Sequence, residues 1–161
     1  MSWVGSISFE EMKRNALMLA KSAAILGIPT VLTSSMEEHA QGPLLSELEQ
    51  ILPKEFANRV KRAGIVNAMA DENFAAAVKA AAGNRKRIIA GVTNDVCTVY
   101  PTLTLLEMGY EVQVVADAGG SPTKMADESS LRRMDKAGAT ITSTNQLIAE
   151  LAQTWADENG Q

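Results

Sequence analysis

Short apolar runs alternate along this chain with longer segments whose apolar residues recur every three or four positions. The short runs are rich in β-branched residues, which is typical of buried strands, and they lie at residues 28–33, 60–66, 87–90, 111–116 and 139–142. The longer segments have the spacing of helices with one apolar face. Strands that alternate with helices predict a mainly parallel sheet with helices on both faces, which is an α/β fold.

Polar residues and turn formers mark the ends of the predicted helices. Ser8 with Glu11 three residues later forms a capping-box pattern, and the helix that follows is expected to end at Gly27. Pro53 is expected to close a short helix over residues 44–52, because proline does not continue a helix. The same signs predict further helices after Asp71, over residues 95–108 and 126–137, and from Thr144 onward.

The single cysteine of the chain, Cys97, follows the apolar run at 87–90 after Gly91 and a polar turn. It is expected where a strand turns into a helix, on the edge where parallel α/β sheets bind their ligands. Free N–H groups and the helix dipole favour the thiolate there, which is the nucleophilic form. The same N–H groups could hold the oxyanion that forms when a thiolate attacks a carbonyl. A small buried hydrophobe is the alternative role for a lone cysteine.

Length and composition restrict the other functions. The 161 residues predict one domain, residues 1–161, and the net charge of −4 without a basic cluster argues against nucleic acid as a partner. A single histidine and a single cysteine are too few for a typical metal site. The chain also lacks a G-x-G-x-x-G run, which is the usual sign of a dinucleotide-binding site, so no cofactor is expected. No run is long enough to span a membrane and no signal peptide is visible, so we expect no membrane partner and a cytoplasmic location.

The segment IIAGVTNDVCTVYPTLTLLEMGYEVQVVADA resembles the isochorismatase-like cysteine hydrolases. Their pattern is an apolar strand, G-V-x-T-x-x-C-V, a helix, a glycine, a second strand and D-A. It is matched here by Gly91-Val92-Thr93-Asn94-Asp95-Val96-Cys97, Gly109 and Asp117-Ala118. The usual threonine falls at Asn94. The loop at 41–44 and Arg62 followed by Asn67-Ala68 are most similar to an octameric subgroup of unassigned substrate, so the resemblance implies a homo-oligomer and, within that subgroup, an octamer.

The resemblance implies a triad of aspartate, basic residue and cysteine, with Cys97 acylated by the substrate. The basic position matches Arg62, whose role would be electrostatic because arginine does not give up its proton. Only one of two neighbours in a strand can face the site, so Lys61 remains an alternative, as does a solvated Lys-Arg pair on an edge strand.

The turn before the cysteine carries the other expected site residues. By resemblance, the Val92–Thr93 peptide bond is expected to be cis, and these two residues with Asn67 are assigned to the oxyanion and substrate-binding region. Pro101 has no N–H for the carbonyl four residues earlier. We therefore expect the helix to kink there, or to become regular only beyond Tyr100.

The aspartate of the triad ends the first strand in the family, and by resemblance residues 1–161 start after that strand, with Trp3 already in the loop beyond it. The family's strand order of 3-2-1-4-5-6 makes the first strand central. We therefore expect unpaired strand edges on both sides of its position, unless the strands at 28–33 and 87–90 pair directly or another chain donates a strand.

Four acidic residues lie near the expected site by sequence. They are Glu37, Glu38, Asp95 and Asp117. We expect Asp95 to cap the helix that carries the cysteine and Asp117 to cap the next loop, rather than to replace the triad's aspartate.

The function expected from these residues is that of a cysteine hydrolase in a Rossmann-like three-layer α/β/α domain. It would cleave a small amide-like substrate through a Cys97 acyl-enzyme, and its activity would depend on the aspartate that these residues lack. The alternative is a non-catalytic, oligomeric small-molecule-binding protein of the same fold. A thiol redox protein is a third possibility, against which the lack of a resolving cysteine argues.

Overall fold

The computed structural model describes residues 4–81 and 83–158, so Trp3 and residues 159–161 lie outside the described part. The helices are α1 Phe9–Ile25, α2 Glu47–Ile51, α3 Pro53–Ala57, α4 Glu72–Ala80, α5 Val99–Glu107, α6 Lys124–Lys136 and α7 Thr144–Ala152. The strands are β1 Thr33–Ser35, β2 Val60–Arg62, β3 Lys86–Ile89, β4 Glu111–Val115 and β5 Thr140–Thr142. A π-helix at Asn94–Thr98 leads directly into α5.

Helices cover both faces of parallel strands, which confirms the α/β class. Val112 and Val114 of β4 pack into one core cluster with residues of α4, α5 and α6. Val115 belongs to a second cluster with residues of α1 and α7. Because successive side chains of a strand point to opposite faces, this alternation along β4 places a helical layer on each side of it.

The strands form two parallel sheets rather than one. β1 pairs with β2, and β3, β4 and β5 pair in that order. Among the described residues, β1 and β3 do not pair with each other and no strand lies between them. This is the position that the resemblance gives to the family's first strand, so direct pairing of the two flanking strands is excluded for these residues.

Two strands are shorter than predicted. The strand expected over 28–33 begins only at Thr33, because Val60, the first residue of β2, lies opposite Thr33. The Val60 N–H reaches the Leu32 carbonyl, and residues 28–31 pair with no residue of β2. The strand expected over 60–66 ends at Arg62, and the chain turns at Gly64, whose φ of +96° is a left-handed conformation that favours glycine.

The helix boundaries predicted at Ser8, Gly27, Asp71 and Pro53 are confirmed, and one helix is shorter than predicted. The Ser8 hydroxyl accepts a hydrogen bond from the Glu11 N–H at 3.2 Å, and α1 ends just before Gly27. The Asp71 carboxylate caps α4 in the same way. The helix predicted over 44–52 spans only Glu47–Ile51, and it ends before Pro53 as predicted. Pro53 itself begins α3, because a proline in the first helical position needs no N–H partner.

No helix in the described part of the chain is long and apolar enough to cross a membrane.

Candidate active site

The cysteine lies in a widened helical turn at the carboxyl end of β3. The N–H of Thr98 donates to the carbonyl oxygen of Thr93 at 3.0 Å, and the N–H of Val99 donates to the carbonyl of Asn94. Both bonds span five residues, the pattern of a π-helix, which is found mostly as single turns at functional sites. The side chain of Cys97 is half-buried, so its sulfur is not sealed in the core.

The helix predicted over 95–108 therefore begins with a π-helical turn. The irregularity expected from Pro101 is present, but regular α-helix begins at Val99 rather than beyond Tyr100. Pro101 thus falls in the first turn of α5. A proline is tolerated there because the first N–H groups of an α-helix have no partner within it.

The segment before the π-helix is fixed by the loop that follows β4. The Val92–Thr93 peptide bond is cis, as predicted, and Thr93 is 1% exposed. Val92 forms a parallel bridge with Gly120, and the Asn94 N–H donates to the Gly120 carbonyl at 2.8 Å. A Cβ on the neighbouring Gly119 would lie 2.3 Å from the carbonyl oxygen of Gly91, so this close approach requires glycine.

Arg62 points inward from the end of β2 and is 6% exposed. Its Nε donates to the Thr33 hydroxyl at 3.0 Å and its Nη1 to the Ile65 carbonyl at 2.8 Å. No carboxylate of the described residues forms an ion pair with it. Lys61 is exposed and pairs with Glu37, so Arg62 is the residue of the two that faces inward. The alternative of a Lys-Arg pair with both side chains in solvent is therefore wrong.

Glu37 is the centre of an ion cluster at the ends of β1 and β2. Its carboxylate accepts two hydrogen bonds from Arg59, at 3.0 and 3.1 Å, and contacts the Lys61 ammonium at 2.6 Å. The Ser34 hydroxyl donates to it at 2.7 Å. These donors, Arg59 foremost, lower the pKa of Glu37 to about 2. A carboxylate so fully engaged stays ionised at neutral pH and is a poor acceptor for a further proton.

Asn67 connects the loop after β2 to α5. Its Nδ2 donates to the Thr104 hydroxyl at 2.9 Å, and its Oδ1 accepts from the Met69 N–H at 3.1 Å. The structure therefore places Val92, Thr93 and Cys97 in one segment, whereas Arg62 and Asn67 flank the loop after β2. Neither Arg62 nor Asn67 hydrogen-bonds to residues 91–98.

Comparison with known proteins is decisive for the family. The family model described as the isochorismatase domain matches residues 4–146. The chain belongs to the isochorismatase family. It is 35% identical over 158 residues to the probable hydrolase YcaC of Escherichia coli, and the match covers 98% of this chain and 74% of that protein.

Two solved structures agree with this assignment to the isochorismatase family. YcaC from Pseudomonas aeruginosa, solved with hexane-2,5-diol and covalent acrylamide, superposes with a TM-score of 0.93 at 39% identity, over 99% of this chain and 78% of that one. YcaC from Escherichia coli, described as an octameric hydrolase of unknown specificity, superposes with a TM-score of 0.92 at 37% identity, over 99% and 77% of the two chains. The chain is thus an isochorismatase-family hydrolase with a Rossmann-like fold.

Asp117 and Asp95 differ in their surroundings within this isochorismatase fold. The Asp117 Oδ1 accepts from the Thr144 N–H at 2.7 Å and from the Thr144 hydroxyl at 2.8 Å, so Asp117 anchors the start of α7. It was expected to cap the loop that directly follows it, and its partner instead lies 27 residues away. Asp95 does not cap its helix, because Thr93 occupies the N-cap position. One carboxylate oxygen of Asp95 is buried without a hydrogen-bond partner among the described residues, beside a cleft of about 250 Å³ that Ser129 and Arg133 also line.

Sequence reasoning missed a buried polar network below the cysteine turn. Asn94, which is 0% exposed, donates from Nδ2 to the Asp127 carboxylate at 3.0 Å and to the Ala116 carbonyl at 3.2 Å. The Ser121 hydroxyl donates to the same Asp127 oxygen at 2.8 Å. The available signal was the asparagine in the position where the isochorismatase pattern has threonine, since a buried amide has two N–H donors that need acceptors, whereas a threonine hydroxyl has one donor.

Among the described residues, no three histidine, cysteine, aspartate or glutamate side chains come together in a way that could hold a metal ion.

Proposed function

We propose that this chain is a cysteine hydrolase that cleaves the C–N bond of a small amide-like substrate through an acyl-enzyme on Cys97. The observation that carries the proposal is the position of the thiol. It is half-buried in a π-turn at the start of α5, just beyond the carboxyl end of β3. A sulfur at a helix start lies at the positive end of the helix dipole, which favours both a thiolate and an oxyanion.

The proposed reaction has two halves. The Cys97 thiolate attacks the substrate carbonyl carbon, and the resulting oxyanion is bound by backbone N–H groups of Thr93 and Cys97. The C–N bond then breaks, the leaving nitrogen takes up the proton that the thiol gave to water when it ionised, and the acyl group remains as a thioester. Water attacks this thioester, which releases a carboxylic acid and restores the thiol. The buried positive charge of Arg62 would favour the negative charge that develops in both halves.

A relative supports the choice of nucleophile. The YcaC protein of Pseudomonas aeruginosa was solved with covalent acrylamide, and acrylamide is an electrophile that alkylates thiols. This chain has one cysteine, so an acrylamide adduct that depends on a thiol has one possible location.

A specific observation favours the second candidate, a non-catalytic small-molecule-binding protein. Glu37 is engaged by three partners and Asp117 anchors α7, so these two carboxylates have structural tasks. Neither of them is therefore free to act as the base for the second half of the reaction. In that case Cys97 would accept an acyl group or bind a carbonyl compound without turning over.

We also propose that the chain assembles as a homo-octamer, since the Escherichia coli relative at 37% identity is described as octameric. Light scattering coupled to size-exclusion chromatography measures the mass directly. A monomer at micromolar concentration would contradict the proposal.

The test of the function uses intact-protein mass spectrometry and a panel of small primary amides. We expect acrylamide to add one equivalent to the natural chain and none to C97S. With the amides, we expect continuous release of ammonia by the natural chain and none by C97S. Ammonia release that stops after one equivalent per chain would support the second candidate, and release by C97S at the natural rate would overturn the role of Cys97.

A further inference from the structure

The π-turn that carries the cysteine is stabilised by side-chain hydrogen bonds to other parts of the chain, and it has no side-chain N-cap of its own. Thr93 occupies its N-cap position and makes no side-chain capping bond there. The next residue, Asn94, is 0% exposed and directs its amide away from the turn, into the space between β4 and α6. The conformation of this turn therefore depends on acceptors supplied by other parts of the chain.

The carboxylate of Asp127 supplies a charged acceptor in this space. A single oxygen of Asp127 accepts from Asn94 Nδ2 at 3.0 Å and from the Ser121 hydroxyl at 2.8 Å. Ser121 is 0% exposed and its loop is joined to the turn a second time, through the Asn94 N–H and the Gly120 carbonyl. One carboxylate in the first turn of α6 thus connects the nucleophile's turn with the loop after β4.

We propose that Asp127 is a positioning residue, which fixes the orientation of Asn94 and, through it, the direction in which Cys97 and the neighbouring N–H groups point. The inference rests on the proposed function for its catalytic consequence. One oxygen that accepts from two buried donors fixes the direction of both, so this acceptor orients Asn94 and Ser121 together. The Oδ1 of Asn94 is buried without a partner among the described residues, so the amide is held through its donors.

The role also accounts for the departure of this chain from the family pattern. A threonine in the position of Asn94 would carry a single hydroxyl, whereas asparagine brings two donors into a space from which water is excluded. Those donors need acceptors, and Asp127 with the Ala116 carbonyl provides them. We therefore expect Asn94 and Asp127 to act as a pair in this chain.

The test compares D127A, D127N and S121A with the natural chain, with E128Q as the matched control. Glu128 is the next residue of α6, is exposed, and its side chain forms no hydrogen bond or ion pair with the rest of the described chain. The first readout is the rate at which iodoacetamide alkylates Cys97, and the second is kcat and KM for an amide from the panel above. Circular dichroism and thermal unfolding establish that each variant is folded.

We expect D127A to slow alkylation and to lower kcat by about tenfold or more with KM unchanged, because displacing a reacting group by about 1 Å costs up to a hundredfold. D127N keeps an oxygen that can accept both bonds and should stay within about threefold of the natural rate. S121A should lie between them, and E128Q should equal the natural chain.

Three results would overturn the inference. The first is an unchanged alkylation rate in folded D127A. The second is an alkylation rate in D127N as low as that in D127A, which would indicate an effect of the charge alone. The third is an equally low alkylation rate in E128Q. If D127A does not fold, S121A decides the question, because an alkylation rate equal to that of the natural chain would refute the network. If the natural chain hydrolyses no amide, the proposed function fails, whereas the alkylation rates still test the positioning role.

Discussion

Replacing Arg62 with methionine should reduce activity and leave the free energy of unfolding nearly unchanged. The guanidinium is 6% exposed and has no carboxylate partner among the described residues. Methionine has a similar length, no charge and enough flexibility to fill the same space. We expect R62M to fold with nearly unchanged stability and to lose the electrostatic contribution to the reaction.

The magnitude follows from two opposing contributions. The substitution removes two hydrogen bonds from a charged donor, to Thr33 and to Ile65, which are worth about 1.5–3 kcal/mol each. It also removes the cost of burying an ion, which is still about several kcal/mol after relaxation of the protein. The Thr33 hydroxyl keeps its 2.8 Å bond to the Val60 carbonyl, so it is not left unsatisfied. The two contributions should cancel to within about 2 kcal/mol.

Urea unfolding at a fixed protein concentration measures the difference, with R62K as the control that keeps the charge. R62K should be less stable than R62M, because one ammonium cannot reproduce the two-pronged geometry and still carries the cost of burial. A loss of about 3–5 kcal/mol in R62M would refute the reasoning, since that is the cost of breaking a buried ion pair. It would mean that the guanidinium has a carboxylate partner in solution.

Three further predictions concern other parts of the structure. The pKa of Glu37 is lowered to about 2, so its ion cluster should stabilise the fold fully above the ordinary pKa near 4.5 and lose that contribution as the pH falls towards 2. The unfolding midpoint of E37Q should therefore depend less on pH across this range, and parallel curves of midpoint against pH for the two proteins would contradict the stabilising role of the cluster. D117A removes two hydrogen bonds to Thr144 and should lower the free energy of unfolding by about 2–4 kcal/mol in a urea titration. A change below about 0.5 kcal/mol would show that α7 does not depend on this anchor. Amides of β1 and β3 that face the gap between the two sheets should exchange with solvent at least about tenfold faster than the amides of β4, and equal protection in a monomer would mean that the gap is closed.

Features that depend on residues close together in the chain could be predicted from the sequence. The caps at Ser8 and Asp71 each involve a donor three residues away, so the pattern of residue types was sufficient. The alternation of strands and helices identified the α/β class because it reflects local periodicity. The position of Cys97 after a parallel strand followed from the same reasoning, although β3 is partly exposed and not buried as predicted. The cis bond followed from the family motif.

Strand limits and the choice between neighbouring basic residues needed the tertiary structure. The strand predicted over 28–33 begins only where β2 offers a partner, which no local pattern reveals. Lys61 and Arg62 have similar propensities, and the direction of each was decided by Glu37 on one side and Thr33 on the other. Both partners lie more than twenty residues away in sequence.

The sequence by itself determined the fold class, the family and the identity of the proposed nucleophile, because each depends on local periodicity or on one contiguous motif. Only the tertiary structure decided what orients that nucleophile. Asn94 and Asp127 are 33 positions apart, and their pairing depends on how α6 packs against the π-helix. A hydrogen bond between distant residues follows from the packing of whole elements, and a linear pattern of residue types does not contain that information.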